Sequence, residues 1–530
     1  MNLKSLFIFM VTATLFSSCH KEFFNSNDLA TKARTVSSTQ ELTYNEFKTY
    51  AYAYADFTDS TTEYTIEYKE LVVSAAIRPY SKNIPVSVSG NSISFSLPQA
   101  GNYVAYINGF KIIIFAQAPE VVPTGPNVKN IVSDFGCDST GTVNETVTIQ
   151  TAIQNVAGTG KTLLFPKGKY LTSRLKIQNI SGLNIYLERG AVIIADTSDL
   201  NSYATNDVFG APGPSSVIGR DKWVAAPTFI LIDQSSNINI SGQGMINGQG
   251  RASRRNAVVQ YGNESKGRYR NFLITRSNDV NLTGIISADP GVWNTHILKS
   301  EDVTCENVKV MNEIDYAPIP GNLNNIDHDR LSTDGFDLDA SKNVLINNCF
   351  AYCGDDNIAV KTSEYAGLLD DVDGITVSNC VFLTQKSSLK VGTETGGAEM
   401  KNILFQNNDV LQADRGIALY CYDGAEIESV WSNNRIEGNY PDAKKSAIFL
   451  EIKPRVTGSL IGKASVTISN TTVLNAFPNK SEVRYNNPAS PDGTTEMIVD
   501  INNLTIGGVN VTNTNNATYF KYAGSPSVSF

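Results

Sequence analysis

A short phrase recurs along the second half of the chain and restricts the fold more than any other feature. Its copies are SNDVNLTGI, SEDVTCENVKV, SKNVLINNCFAYC, DGITVSNCVFL, MKNILFQNNDVL, IESVWSNNRI and KASVTISNTTV. The first branched residues lie 23, 41, 31, 28, 27 and 36 positions apart, and they are Val280, Val303, Val344, Ile375, Ile403, Val430 and Val466. A base period in the twenties with variable insertions predicts an all-β, right-handed parallel β-helix. A β-propeller would need longer and more uniform repeats.

Helical patterns are nearly absent from this part of the chain. The exception is Ile149, Ala152, Ile153 and Val156, whose spacing places four apolar side chains on one face of a short helix. We expect this helix to cover the first rung and shield the open sheet end. Asn and Gly should occupy the corners between strands, because both tolerate left-handed backbone. Three further residues are expected to pack within or between rungs: Trp293, His296 and Trp431.

Residues 41–118 follow a different pattern. Apolar and polar residues alternate with period two in YTIEYKELVV, IPVSVSGNSISFSL and GNYVAYINGFKIIIF, which predicts a small antiparallel β-sandwich. The Pro-rich residues 119–127 are predicted to be a linker, and residues 128–530 the β-helix catalytic domain. We expect the sandwich to brace the β-helix, although glycan binding by this domain is the alternative.

Residues 1–19 have the organisation of a signal peptide. Lys4 precedes an apolar run that ends at Phe16 and is too short to span a membrane. Cys19 follows two serines and resembles the lipidated cysteine of a bacterial lipobox, although Phe16 stands where Leu is usual. The pattern predicts lipidation at Cys19, a tether over residues 20–40, and anchoring to the outer membrane of a bacterial cell envelope. Ordinary secretion with an incidental cysteine is the alternative.

Charge and residue supply exclude several classes of function. The chain has 43 basic and 52 acidic residues, so it lacks the overall positive charge of a nucleic-acid-binding protein. With only three histidines, a multi-histidine metal centre has too few ligands, and we predict no metal and no cofactor. Cys305, Cys349 and Cys380 occupy similar places in the repeated phrases, which predicts stacked small residues in preference to a disulfide framework.

Two glycine-rich segments resemble nucleotide-binding loops without meeting their requirements. GTGKT at residues 158–162 follows a helical pattern, whereas a phosphate loop follows a strand. GQGMINGQG at residues 242–250 has Asn247 where the third glycine belongs, and we expect no helix after it. Both segments are interpreted as tight turns of the β-helix.

The richest cluster of acidic residues is DHDRLSTDGFDLDASKNVLINNCFAYCGDDNIAVK. Asp334 and Asp355 are 21 residues apart, close to one bare rung, so Asp334 should lie beside Asp355 or Asp356 on a strand about 4.8 Å away. Gly354 places that pair at a corner, where both side chains can point outward. Crowding should raise at least one carboxyl pKa, which suits the acid/base pair of glycoside hydrolysis. A calcium site and solvated corner aspartates are the alternatives.

These motifs carry a family resemblance. STDGFD followed by GDDNIAVK resembles the NTDG[IF]D and GDD motifs of glycoside hydrolase family 28, the polygalacturonase group, and the resemblance extends over residues 128–475. A sandwich before such a β-helix is also similar to family 49, the dextranase group. The resemblance implies that Asp355 is the general acid, that Asp334 and Asp356 hold the attacking water, and that the anomeric centre is inverted.

Two motifs depart from the family 28 pattern. Ser387 in KSSLKVGTETGG stands where the histidine of a Gly-His-Gly motif is expected. Ala418 and Tyr420 in RGIALYCYDG stand at the Arg and Lys of an Arg-Ile-Lys motif that grips the substrate carboxylate. The usual uronate clamp is therefore missing, which favours a neutral or differently charged glycan.

Seven residues are candidates for substrate binding. Lys390 or Arg415 could supply the missing positive charge, and Tyr420 and Tyr422 share a face on which a sugar ring could stack. His328 precedes the acidic motif in an insertion that could overhang the groove. An ordinary surface or structural role is the alternative for each. The full set is Lys361, Lys390, Glu394, Arg415, Tyr420, Tyr422 and His328.

The sequence thus predicts an exported, monomeric, lipid-anchored glycoside hydrolase that acts on a polysaccharide or oligosaccharide. A polysaccharide lyase on the same fold is one alternative, and a glycan-binding protein without catalytic activity is another. The sugar, the linkage, and endo or exo action are left open.

Overall fold

The computed structural model describes residues 39–46, 50–204, 227–262, 264–312, 332–363, 370–396, 399–439, 445–455, 461–486 and 496–530. Three long sheets, here S1, S2 and S3, coil around one core from Val128 onward as a right-handed parallel β-helix, which confirms the predicted fold class. Each rung contributes a strand to S1, then S2, then S3. Neighbouring strands in a sheet therefore come from successive rungs, and a change of one rung moves a residue along the helix axis.

The strands of the β-helix have the following bounds. S1 contains Val128–Asn130, Thr162–Phe165, Ser181–Leu187, Ser236–Gly242, Asn278–Thr283, Glu301–Glu306, Lys342–Asn347, Val372–Ser378, Glu399–Gln406, Glu426–Ser432, Lys463–Ser469, Met497–Asn502 and Ser527–Ser529. S2 contains Thr140–Asn144, Gly168–Thr172, Ala191–Ala195, Met245–Asn247, Ile286–Ala288, Lys309–Met311, Phe350–Cys353, Val381–Thr384, Asp409–Gln412, Arg435–Ile436, Thr472–Val473, Thr505–Ile506 and Val509–Asn510. S3 contains Leu175–Gln178, Thr228–Asp233, Arg270–Thr275, Thr295–Leu298, Phe336–Asp339, Ile358–Thr362, Ser387–Thr395, Arg415–Cys421, Ile448–Ile452, Ser481–Tyr485 and Phe520–Gly524.

The predicted row of branched residues is largely present in S1. Val280, Val303, Val344, Ile375 and Ile403 pair in register on successive strands and point into the core. Val430 was assigned wrongly to this row. The register shifts after Met400, so Ile403 pairs with Ser429, and the buried Trp431 takes the next inward position.

The corner between S1 and S2 repeats one backbone conformation. Seven asparagines on successive rungs have φ between +48° and +58°, which is the left-handed conformation expected at corners: Asn307, Asn348, Asn379, Asn407, Asn433, Asn470 and Asn503. The residue after each corner turns inward, and Cys349 and Cys380 stack there, with the Cys349 amide donating to Cys380 Sγ at 3.3 Å. Cys305 was wrongly grouped with them, because it pairs with Ile346 within S1. The six cysteines that the structure describes are buried thiols.

In the described ranges, three α-helices accompany the sheets: α1 (Thr146–Val156), α2 (Gly250–Tyr261) and α3 (Asn516–Tyr519). Short 3-10 helices span Tyr80–Lys82, Leu200–Tyr203 and Glu264–Gly267. Helix α1 confirms the predicted apolar face, since Ile149, Ala152, Ile153 and Val156 are all buried in the core of the first rungs.

The expectation that no helix follows residues 242–250 was wrong, because α2 begins there. This helix has no apolar stripe, and polar groups hold it in place. Ser253 and Arg254 are buried, and Ser253 Oγ donates to the Gly267 carbonyl at 2.7 Å. Gly250 has no room for a side chain, since a Cβ would lie 1.9 Å from the Pro290 carbonyl oxygen.

The N-terminal domain has two small sheets, as predicted. One contains Thr39–Glu41, Glu63–Glu67, Ser92–Ser96 and Ser87–Ser89, and the other Tyr44–Glu46, Tyr50–Asp56, Phe110–Gln117, Gly101–Ile107 and Ala75–Arg78. The antiparallel assignment was wrong for two strand pairs. Tyr50–Asp56 pairs in parallel with Phe110–Gln117, and Thr39–Glu41 with Glu63–Glu67. Alternation along a strand reports which face is buried and carries no information about strand direction.

The five-stranded sheet of this domain packs on the outer face of S2. Phe115 meets Phe350 with ring centroids 5.8 Å apart, and both belong to an apolar cluster that spans the two domains. Arg78 Nη1 lies 2.7 Å from Glu437 Oε2 beside this cluster. The sandwich therefore has the bracing position that the sequence favoured.

Within the described ranges, every helix is too short or too polar to cross a bilayer. Cys19 and the rest of the predicted leader lie outside the described residues.

Candidate active site

Three aspartates meet where the chain turns from S2 into S3. Asp334 precedes the S3 strand Phe336–Asp339, and Asp355 and Asp356 precede the next S3 strand, Ile358–Thr362. The two segments are hydrogen-bonded neighbours, since the Gly335 amide donates to the Asp356 carbonyl at 2.8 Å. One carboxylate oxygen from each of Asp334, Asp355 and Asp356 lies within 4.8 Å of the others. The 21-residue spacing therefore brings these groups together, as predicted.

Gly335 makes this close approach possible. A Cβ at this position would lie 2.4 Å from the Asn357 carbonyl oxygen and 3.1 Å from Cys353 Sγ. Only glycine lets the two corner segments pack this closely, so the TDG part of the motif has a steric reason.

The three carboxylates differ in exposure. Asp334 and Asp356 are each only 4% exposed, whereas Asp355 is partly accessible. Asp356 contacts Lys390, which lies on the outer face of S3 between the core residues Leu389 and Val391, so its low exposure does not contradict the expected outward direction. The Asp356 side chain turns toward the next rung, where two partners satisfy it. Solvated corner aspartates do not describe this arrangement.

Asp356 is held as a carboxylate. Lys390 Nζ lies 2.5 Å from Oδ2, and the Ser387 amide donates to Oδ1 at 2.9 Å. Burial opposes the charge of Asp356, but the Lys390 ammonium and the hydrogen bonds outweigh it and hold the pKa of Asp356 below its ordinary value. The buried position of Lys390 also shows that an ordinary surface role for this residue was a wrong alternative.

The other two aspartates favour the protonated form. Burial, together with the charge of Asp356, raises the pKa of Asp355 to about 6. Burial, together with the charges of Asp337 and Asp355, raises the pKa of Asp334 well above its ordinary value. Below about pH 6, Asp355 is protonated beside an ionised Asp356, which is the charge distribution that an acid/base site requires.

A fourth aspartate, Asp337, belongs to this cluster and was not among the predicted site residues. Lys361 Nζ lies 2.6 Å from Asp337 Oδ1, 3.7 Å from Asp334 Oδ2 and 3.8 Å from Glu394 Oε2. Burial raises the pKa of Asp337 to about 6 against the opposing charge of Lys361. The alternation in FDLD could have identified it, because Phe336 and Leu338 point into the core and Asp337 must point out.

Trp293 forms part of the site's wall. Its ring centroid is 3.8 Å from Lys361 Nζ and 5.2 Å from the Arg270 guanidinium. The ring lies between rungs, as expected, but it also contacts the catalytic cluster. His296 is fully buried with Nε2 3.3 Å from Asp339 Oδ2, and burial lowers the pKa of His296 to about 4. Its predicted structural role is consistent with this neutral, enclosed imidazole.

Aromatic residues continue the outer face of S3 beyond the carboxylates. Tyr420 and Tyr422 share one face, with ring centroids 5.6 Å apart, and the Tyr420 ring is 5.5 Å from Lys390 Nζ. Arg415 is partly buried, pairs with Asp414 at 3.0 Å and lies 5.8 Å from the Tyr420 ring. These rings and cations form a strip suited to sugar hydroxyls and C–H faces.

The structure thus places five of the seven substrate-binding candidates on S3, and Tyr422 directly follows the S3 strand Arg415–Cys421. The five are Lys361, Lys390, Glu394, Arg415 and Tyr420. Glu394 contacts Lys361 and, at 3.8 Å, Arg455. The seventh, His328, lies outside the described residues.

The three clustered carboxylate oxygens are close enough to bind a cation. Two ammonium groups already serve that cluster, with Lys390 on Asp356 and Lys361 near Asp334. A divalent cation there would be repelled by both lysines, so the arrangement favours proton transfer over the calcium alternative.

The family model described as glycosyl hydrolases family 28 matches residues 198–446, just under half of the chain. The resemblance to this family is confirmed. Both aspartate motifs lie within the matched range, and the match supports hydrolysis of a glycosidic bond.

The chain is also similar to individual proteins. An iota-carrageenase of Zobellia galactanivorans is 24% identical over 261 residues, which are 47% of this chain and 45% of that protein. A probable polygalacturonase of Arabidopsis thaliana is 25% identical over 266 residues, 46% of this chain and 50% of that protein. The chain spans about half the length of these curated relatives. A family 28 exopolygalacturonase of Yersinia enterocolitica shares the fold, with 17% identity, a TM-score of 0.53, and coverage of 92% of this chain and 98% of its own.

Proposed function

We propose that this protein is an exported glycoside hydrolase that cleaves an O-glycosidic bond of a polysaccharide or oligosaccharide. The observation that carries the proposal is the division of charge among three adjacent carboxyl groups. The pKa of Asp356 is lowered while those of Asp334 and Asp355 are raised, all within one cluster of oxygens less than 4.8 Å apart.

The chemistry follows from this division. Asp355, the most accessible of the three, gives its proton to the glycosidic oxygen as the bond between that oxygen and the anomeric carbon breaks. A water oxygen bonds to the anomeric carbon and passes its proton to the Asp356 carboxylate. Asp334, the third member of the cluster, orients the water. Proton transfer of this kind contributes about 100- to 10,000-fold to a rate.

We propose inversion at the anomeric carbon on the basis of the family resemblance. The short separation of the three oxygens would, by itself, suit the closer carboxyl pair of a retaining enzyme. Proton NMR of the first product formed decides between them, because inversion and retention give opposite anomers before mutarotation.

The proposed substrate class follows from two features: the missing Arg-Ile-Lys clamp, and the strip of aromatic rings and cations along the outer face of S3. Ala418 is fully buried and cannot reach a substrate carboxylate, and Tyr420 supplies a ring in place of a cation. We propose a neutral glycan, or one whose negative charge differs from the galacturonate of the polygalacturonase relatives. Sulfated galactans of the carrageenan type and dextran belong in the first screen beside polygalacturonate.

The test is release of reducing ends from a panel of plant, algal and microbial polysaccharides by the full-length protein. The negative control is the Asp355→Asn, Asp356→Asn double variant. Asp279→Asn is the matched control, because Asp279 is an exposed aspartate on S1 with left-handed backbone that Asn also adopts. Release of reducing ends by the wild type and by Asp279→Asn, but not by the double variant, would support the proposal. An unsaturated product absorbing in the ultraviolet would establish a lyase, and glycan binding without any product a binding protein.

We also propose that the protein is lipid-anchored through Cys19 in the cell envelope of a bacterium. The charged start, the apolar run to Phe16 and the two serines before Cys19 support this. Labelling of growing cells with an alkyne fatty acid should mark the wild type and leave Cys19→Ser unlabelled. Equal labelling of both would contradict the anchor.

A further inference from the structure

The contact between Lys390 and Asp356 is the shortest link between a cation and the three catalytic carboxyl groups in the described part of the chain. Nζ lies 2.5 Å from Oδ2, with Lys390 8% and Asp356 4% exposed. The Ser387 amide holds the other oxygen at 2.9 Å. Both oxygens of Asp356 are therefore fixed by groups on a single S3 strand, Ser387–Thr395.

The neighbouring rungs leave room for this lysine. In the register of S3, Lys390 lies between Ala359 on one side and Ala418 on the other, and both alanines are fully buried. With no larger side chain beside it, the Lys390 stem can lie along the sheet toward the corner where Asp356 sits. Ala418 and Ser387 are also two of the three positions at which the sequence departs from the family 28 pattern.

We propose that Lys390 is a positioning residue that keeps Asp356 ionised and aimed at the attacking water, in the place of the absent histidine. This inference rests on the proposed hydrolase function. It reverses the role that the sequence suggested for Lys390, which was contact with the substrate. Because a buried ammonium bonded at 2.5 Å to an enzyme carboxylate has that carboxylate as its counter-charge, it is a poor clamp for a glycan's negative charge.

Other charged and titratable groups surround the pair, and their effects oppose one another. Lys361 favours the charge on Asp356, but its own Nζ is 2.6 Å from Asp337. The charge of Asp356 is in turn felt by Asp334, Asp355, Asp337 and Tyr420, all of which it makes harder to ionise. Glu394 acts on Lys390 in the same direction as Asp356. Lys390 supplies the largest of the effects that lower the pKa of Asp356.

The test compares Lys390→Met, Lys390→Gln and Lys390→Arg on the best substrate from the screen. Removing the charge should lower kcat about 100-fold, the size of an acid/base contribution, and leave KM within about threefold. The acidic limb of the kcat profile should move up by about 1 to 3 pH units, the usual effect of losing an adjacent opposite charge. Lys390→Arg should keep the wild-type position of that limb and most of kcat.

A raised KM with an unchanged kcat and an unmoved acidic limb would overturn the inference and return Lys390 to substrate binding. Titration of Asp356 in the wild type gives a second readout that needs neither a substrate nor a Lys390 variant. With aspartate labelled at the carboxyl carbon and the signal assigned from Asp356→Asn, 13C NMR should show a pKa below about 3.9, the ordinary value. A pKa above that value would overturn the inference. A pKa of Asp356 below about 3.9, found in a protein that cleaves no glycan, would instead count against the hydrolase function alone.

Discussion

Lys361 Nζ lies 2.6 Å from Asp337 Oδ1, and the two side chains are only 4% and 0% exposed. The two residues come from adjacent S3 strands, where Asp337 pairs with Ala359 and Lys361 with Asp339. This ion pair stands behind Asp334 and links it to Glu394 and Trp293. It therefore connects the catalytic corner to the groove along S3.

Loss of Lys361 should destabilise the protein more at pH 8 than at pH 5. The pKa of Asp337 is raised to about 6, so this carboxyl is ionised at pH 8 and would then be a buried charge without its partner. Breaking a buried pair in this way costs about 3–5 kcal/mol, and protonation at pH 5 removes part of that cost. Chemical denaturation of Lys361→Met at the two pH values measures the difference.

The Lys361→Met, Asp337→Asn double variant is the control for that experiment. Because an asparagine at position 337 cannot ionise, the loss of unfolding free energy in the double variant should differ less between pH 5 and pH 8 than the loss in Lys361→Met. If Lys361→Met loses the same unfolding free energy at pH 5 and at pH 8, the ion pair of Lys361 with Asp337 is not the source of the destabilisation.

Hydrolysis should fall as the pH rises through about 6. Asp355 acts as an acid only while it is protonated, and its pKa is raised to about 6 by burial and by Asp356. Asp356, whose pKa is lowered, stays ionised well below that pH, so the acidic limb lies lower. The kcat profile of the wild type between pH 3 and pH 9 measures both limbs. An alkaline limb above pH 8 would contradict the assignment of Asp355 as the acid.

The corner asparagines should tolerate glycine better than alanine. Asn407 is exposed, has φ of +57°, and its side chain is not needed for packing. Ala carries a Cβ that makes left-handed backbone cost about 1–2 kcal/mol, whereas Gly does not. Urea denaturation of Asn407→Ala and Asn407→Gly should show a loss of about 1 kcal/mol for Ala relative to Gly. Equal stability of the two would contradict the proposed reason for asparagine at this corner.

A buried lysine at the domain interface should make stability depend on pH. Lys309 is fully buried between S2 and the sandwich, donates to the Gly284 carbonyl at 2.8 Å, and lies 5.6 Å from the Phe115 ring. Burial lowers the pKa of Lys309 to about 7, whereas in the unfolded chain it is about 10.4. Between these values the unfolded chain binds a proton that the folded protein lacks, so this residue's penalty is full below pH 7 and shrinks as the pH rises.

Lys309→Met should therefore be more stable than the wild type at pH 6, and its advantage should shrink toward pH 9.5. Unfolding free energies of both proteins across this range measure the effect. Parallel curves would show that Lys309 carries the same charge in the folded and unfolded states.

Sequence reasoning succeeded where a property depends on burial and spacing. The branched row from Val280 to Ile403 reported the β-helix because inward positions must be apolar on every rung. The 21 residues between Asp334 and Asp355 located the site, because a rung without an insertion returns the chain to its starting face.

Prediction from the sequence failed where tertiary contacts, and not a periodic pattern of residues, determine the structure. Helix α2 is held by the buried Ser253 and Arg254 and has no apolar stripe to detect. Val430 was misplaced by a register shift that one added residue produces. The partner of Lys390 was missed because the sequence gives no direction to a long side chain, and only the small neighbours Ala359 and Ala418 hint at where it lies.

The most direct test of the central claim is the initial rate of reducing-end release by Asp355→Asn, Asp356→Asn and Asp279→Asn as three single variants. If Asp355 is the acid and Asp356 the base, the first two rates fall at least about 100-fold at a temperature where thermal unfolding shows each variant to be folded, while Asp279→Asn equals the wild type. Wild-type turnover by Asp355→Asn or Asp356→Asn would contradict the claim that this corner of S2 and S3 performs the cleavage.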